Sequence, residues 1–223
     1  PPRRADGAKY PQRPIRFICP YVPGGAGDIF TRTIAQKLGD ALGQSVVVDN
    51  RAGANGGIGT DIVAKAPPDG HTLLMGNSGP LTINPVLYKK VPYDPIKDFA
   101  PVTQGTSYMY VLVVPPALAA ANVSDFIAVL KAKPGQLTYG SPGVGTPPHL
   151  ANELFKRTAG IDVAHVPYKG MAPALTDLMA GRIDYMIDNA GLLGQQVAAG
   201  KIRALAITGP RRIAAVPDVP TMA

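Results

Sequence analysis

Four segments of this chain combine glycine with a few polar side chains where a short apolar run gives way to a helical pattern: Pro23-Gly-Gly-Ala-Gly-Asp28, Gly53-Ala-Asn-Gly-Gly-Ile-Gly59, Gly140-Ser-Pro-Gly-Val-Gly-Thr146 and Tyr168-Lys-Gly-Met-Ala-Pro173. In open α/β sheets such loops lie outside the carboxyl ends of the strands, and the helices that follow point free N–H groups outward, which is the chemistry of anion capture. None matches GxxxxGK[ST], and Gly53–Gly59 lacks a GxGxxG register followed by an acidic residue about 20 positions on, so a nucleotide phosphate is not the anion indicated. Glycine also permits tight turns without any ligand.

Other chemistries find less support. Ser141 sits in Gly-Ser-Pro-Gly and not in a GxSxG elbow, which argues against a nucleophile. His149 falls in the first turn of its helical pattern, where the dipole disfavours the imidazolium and leaves a neutral donor, for a ligand or for packing. His71 follows Asp69-Gly70 in a turn and reads as a surface residue; His165 lies inside a strand pattern and reads as structural. No His pair has metal spacing and no two carboxylates stand close on a plausible active face. Asp188, at the carboxyl end of an apolar strand, would accept from a ligand hydroxyl or amine, or hold a neighbouring Lys or loop N–H. Asp28, Asn55 and Thr146 occupy positions where capping explains them as well as ligand binding does. Cys19 is the single cysteine, so neither an intrachain disulfide nor a CxxC thiolate site is available.

The elements that must carry these loops alternate. Ile15–Cys19 reads as a strand, followed by Phe30, Ile34, Leu38 and Leu42 at helical spacing and a stop at Gly43. Further strands are expected at Ser45–Asp49 and Leu73–Met75. After the strongly β-patterned run Tyr108–Val114, a second series begins: helix Ser124–Lys133 with Ser124 as cap, strand Leu137–Tyr139, helix Thr146–Thr158, strand Val163–Val166, helix Pro173–Ala180, strand Asp184–Asp188, helix Leu192–Ala199 and strand Ile202–Thr208. This pattern predicts an α/β protein of two lobes, each a mostly parallel sheet flanked by helices. Lobe one is expected over residues 10–104 together with 209–223, and lobe two over 105–208. About three strands is few for an open sheet, so lobe one reads as incomplete.

The 223 residues are 46% hydrophobic, which excludes a disordered chain, and the most apolar stretch, Tyr108 to Ala121, is broken by Pro115 and Pro116 before membrane-spanning length. Lys+Arg number 22 against 15 Asp+Glu, a formal charge of +7, but the excess is dispersed and Trp is absent, which argues against nucleic acid and for small organic anions. The start, Pro1 to Tyr10, with Arg3 and Arg4, has neither an initiator Met nor an apolar leader and reads as a processed terminus.

The motifs Pro-Gly-Gly-Ala-Gly-Asp, Val-Val-Asp-Asn-Arg-Ala-Gly-Ala-Asn-Gly-Gly-Ile-Gly, Pro-Pro-Asp-Gly-His-Thr-Leu-Leu, Tyr-Gly-Ser-Pro-Gly-Val-Gly-Thr-Pro-Pro-His-Leu, Val-Pro-Tyr-Lys-Gly and Gly-Lys-Ile-Arg-Ala-Leu-Ala-Ile-Thr occur in order between Tyr10 and Met222. Together they resemble the Bug family, the extracytoplasmic substrate-binding receptors of tripartite tricarboxylate transporters. The resemblance implies a periplasmic, two-lobed flytrap receptor, its signal peptide removed, that captures a small di- or tricarboxylate or related acid without metal or cofactor and delivers it to membrane transport subunits. A monomer that binds no nucleic acid is expected. Family ligand contacts would fall on Tyr21, Gly24, Gly25, Ala26 and Asp28; on Ser78 and Gly79; on Ser141, Gly143, Gly145, Thr146 and His149; on Tyr168, Lys169, Gly170 and Ala172; and on Asp188. Family members usually continue past Pro217-Asp-Val-Pro-Thr and return to lobe one. The rival reading is an α/β enzyme acting on a phosphorylated or acyl small molecule in the same cleft, which needs a nucleophile and base in contact or a metal site. A third is a sensor presenting the bound acid to a signalling protein.

Overall fold

The computed structural model describes residues 10–222; the processed-terminus reading of the first nine residues, and Ala223 at the end of the tail, lie outside the described residues. The chain divides into two compact units, with the boundary between Ala100 and Pro101. Among the described residues no helix is long and apolar enough to cross a membrane.

In the first unit, strands β1 (Ile15–Cys19), β2 (Val46–Asn50) and β3 (Thr72–Leu74) form a parallel sheet in the order β2-β1-β3. β1 is central because its apolar run is the most buried, and it pairs Phe17 with Val48 on one side and Leu73 on the other. Helix α1 (Ala26–Leu42) connects β1 to β2 and ends at Gly43, whose φ of 64° supplies the left-handed turn that closes helices. Helix α2 (Gly57–Ala64) connects β2 to β3, and a π-helical turn (Gly79–Ile83) runs into the short α3 (Asn84–Leu87). The core cluster holds Phe17, Cys19, Ala35 and Met75, with Ile34, Val46 and Leu73 packed against it.

The second unit carries β4 (Tyr110–Val114), α4 (Val123–Ala132), β5 (Thr138–Ser141), α5 (Pro147–Ala159), β6 (Ala164–Pro167), α6 (Met171–Met179), β7 (Tyr185–Asn189), α7 (Ala190–Ala198) and β8 (Arg203–Ile207). The sheet order is β6-β5-β7-β4-β8; β5 is parallel to β6 and β7, and β4 runs antiparallel between β7 and β8. β7 is buried along its whole length, as a strand covered by helices on both faces must be. Met186 faces a layer containing Leu178 and Leu193, and Tyr185 and Ile187 face Phe126 and Leu130.

Two expectations are corrected. The cap of α4 is Asn122, whose side chain accepts from the Asp125 N–H, and not Ser124, which lies inside the first turn of the helix. The tail after Gly209 packs on the second unit: Val216 and Val219 join its core, and the segment 220–222 hydrogen-bonds alongside Ile207. Apolar side chains at 216 and 219 find a buried surface there, so the residues expected to complete lobe one cover α7 and β8 instead.

Candidate functional site

The loops at the carboxyl ends of the first unit's strands are tied together by Asp28. This residue is 3% exposed and stands in the first turn of α1, not at its cap, which is Gly25. Its Oδ2 accepts from the Gly24 N–H at 2.9 Å and from Arg32 Nε at 3.0 Å, and its Oδ1 accepts from Asn50 Nδ2 at 2.9 Å. Asn50 also donates to the Tyr21 carbonyl at 3.0 Å, so the end of β2 is pinned to the loop after β1. Burial raises the carboxyl's pKa, but the bonds from Arg32, Gly24 and Asn50 outweigh it and hold Asp28 below the usual range. Its oxygens therefore organise the loop.

What this knot leaves open is the start of α1. Gly25 caps the helix with no side-chain bond, and the first intrahelical bond is Ile29 N–H to Gly25 O, so the N–H groups of Ala26 and Gly27 are unused by the helix itself. Two further loops approach. A Cβ on Gly79 would lie 2.9 Å from Asn55 Oδ1 and 3.2 Å from the Tyr21 hydroxyl, so the loops after β1, β2 and β3 meet at a point where any larger residue must push these side chains aside. Asn55 is in the 3-10 turn before α2 at φ 48°, not at the helix cap, and donates to Asn84 at 2.9 Å. Gly79 N–H is taken by Asn77 Oδ1 at 3.1 Å, and Ser78 is exposed beside it.

In the second unit the helix start expected to hold an anion has little to give. α5 opens on Pro147 and Pro148, which have no N–H; the next two N–H groups, of His149 and Leu150, go to Thr146 Oγ1 and Thr146 O. Thr146 is the cap, as expected. In the loop before it, Gly143 N–H bonds Ser141 Oγ at 3.2 Å, Gly145 N–H bonds His149 Nδ1 at 3.3 Å and Thr146 N–H bonds Gly143 O at 3.3 Å. The α6 start differs: Gly170, at φ 130°, caps it without a side-chain bond and leaves Met171 and exposed Ala172 ahead of Pro173. Tyr168 turns its hydroxyl to Asp177 at 2.8 Å, which with burial pushes it up to about 12, while Lys169 is exposed.

Asp188 ends β7 where expected. It is 5% exposed, Oδ1 accepts from the Asn189 N–H at 2.6 Å, and Oδ2 is buried with no partner among the described residues. Burial pushes its carboxyl up to about 7. The β5–β7 register, Gly140 opposite Met186, carries it beside the loop that follows Ser141.

The residues that sequence spacing missed are Arg32, Asn50 and His165. His165, expected to be structural, places Nε2 2.7 Å from Ser141 Oγ, and its ring stacks on Tyr139 at 4.7 Å between centroids and lies 4.5 Å from His149. That is the serine–histidine contact the enzyme reading requires. The serine, however, is 0% exposed and its hydroxyl is engaged with both the N–H and the carbonyl of Gly143.

Residues 30–223 match the family described as the tripartite tricarboxylate transporter family receptor. Similar proteins include the protein of the tcbD-tcbE intergenic region of Pseudomonas sp. strain P51, 43% identical over 96% of this chain; the chain spans 63% of that relative's length. Among solved structures, Rpa4515 of R. palustris with adipate is 38% identical with a TM-score of 0.91, covering 96% of this chain and 72% of that one. MatC from Rhodopseudomonas palustris with bound malate is 32% identical with a TM-score of 0.87, covering 95% and 72%.

Proposed function

The chain belongs to the tripartite tricarboxylate transporter receptor family, and on that footing we propose that it is a non-enzymatic, extracytoplasmic receptor that captures a small dicarboxylate or related organic acid and delivers it to membrane transport subunits. The observation that carries the reading is the uncapped start of α1, where a 17-residue helix presents unused N–H groups beside the meeting point of three loops. Each charge-assisted bond from such a donor contributes about 1.5–3 kcal/mol. The dispersed positive charge favours an anion. Asp188 serves the ligand in either protonation state: neutral, its O–H donates to a carboxylate oxygen; ionised, it accepts from a ligand hydroxyl. The adipate and malate of the two structural neighbours supply the ligand class.

The test is Ala26→Pro. Proline is accommodated at the first position of a helix and the preceding Gly25, at φ −83° and ψ 172°, already has the extended backbone that proline demands, so one N–H disappears with the helix intact. Calorimetric titration with malate, succinate and adipate should give measurable affinity in the wild type and a loss of about tenfold or more in the variant. No heat with any small acid, or full affinity in Ala26→Pro, would remove the α1 start from the site.

A further inference from the structure

The loop of residues 141–146 is held by bonds among its own residues and by two imidazoles. Ser141 Oγ receives the Gly143 N–H and lies 2.7 Å from His165 Nε2, so one hydroxyl joins the end of β5, the middle of the loop and strand β6. Four residues along, Gly145 N–H donates to His149 Nδ1. The two rings are 4.5 Å apart, and the Tyr139 ring backs His165 with an interplanar angle of 14°. Burial lowers both imidazoles from their ordinary value, and a charge on His149 would lower His165 further. Gly143 and Gly145 stand at φ 138° and 76°, conformations open to glycine and rarely adopted by other residues.

We propose that His165 is a positioning residue for ligand capture: through Ser141 it fixes the second-unit loop that lies beside the unpartnered Asp188 carboxyl, while touching no ligand atom itself. The proposal rests on the receptor reading above. His165 reaches the loop through one hydrogen bond, between Nε2 and the buried Ser141 hydroxyl. The experiment separates ring from nitrogen. His165→Phe keeps a ring to stack on Tyr139 and removes the bond to Ser141; His165→Gln keeps a polar donor near the Nε2 position and removes the ring.

Expected are a cooperative melt for His165→Phe, about tenfold weaker binding of whichever of malate or adipate the wild type takes up, and faster hydrogen exchange of the Gly143 amide in the ligand-free protein. His165→Gln should regain most of the affinity, and Ser141→Ala, which removes the Gly143 N–H bond as well as the His165 contact, should weaken binding at least as much as His165→Phe. Wild-type affinity in a folded His165→Phe overturns the proposal, as does a His165→Gln as weak as His165→Phe. If the phenylalanine variant fails to fold, His165→Ala, which leaves Ser141 in place, decides: normal exchange at Gly143 overturns the proposal and accelerated exchange supports it. Should the wild type take up neither acid, the receptor reading fails, and the Gly143 exchange comparison still decides whether His165 holds the loop.

Discussion

Asp188 shows how one side chain sets a pH signature. Its carboxyl titrates at about 7 in the folded chain against an ordinary value of 3.8, because burial penalises the charged form. Between these values the folded state binds a proton that the unfolded state does not, so stability falls as pH rises from about 4 to 7. Asp188→Asn removes that proton linkage. Thermal unfolding of both proteins should show the wild type gaining on the variant as pH drops from 7 towards 5, by at most about 1.4 kcal/mol per pH unit. His149 and His165, held below their ordinary value, oppose this trend equally in both proteins and cancel from the difference. A flat difference would mean that Asp188 is ionised throughout. At this scale the sequence was legible only locally: Thr146 before Pro-Pro reads as a cap and is one. The roles of Asp28, engaged by Asn50 22 positions away, and of His165, 24 positions from Ser141, depend on which strands lie side by side, and no spacing rule carries that.

At the scale of elements, the contrast between α1 and α5 matters most. Both follow glycine loops at strand ends, and the sequence differs at their starts in the Thr146-Pro147-Pro148 step that α1 lacks. The first has a start with no side-chain cap and N–H groups that the helix itself does not use; the second begins on two prolines under a threonine cap and keeps almost nothing for a ligand. Alternating strand and helix, the parallel strands of the first unit and the stop at Gly43 were readable because they depend on local periodicity and backbone conformation. The reversed direction of β4 was not, since a short apolar run carries no sign of its polarity in a sheet. The convergence at Gly79 gives a direct test. In Gly79→Ala the new methyl would stand within 3.2 Å of Tyr21 and Asn55, so these side chains must part. Calorimetry should find dicarboxylate affinity reduced about three- to tenfold. Retained affinity would show that the three loops need not meet for binding.

For the whole molecule, the two units are unequal in how much apolar surface they bury. The second has a layer on each face of a five-stranded sheet and recruits Val216 from the tail, 3% exposed, into one of them. Val216→Ala should therefore destabilise that unit by about 1–3 kcal/mol, measured by denaturant unfolding, although the residue lies well beyond the last strand. An unchanged midpoint would mean the tail is laid on rather than packed in. The first unit rests on three strands over the small cluster around Phe17 and Met75. Free energy of opening follows buried apolar contact, so this half of the chain should visit opened forms far more often than the other, and its amides should exchange first. An anion gripped at the α1 start would draw down just those openings, which makes proteolytic resistance of residues 15–75, read with and without acid, a sensitive reporter of occupancy.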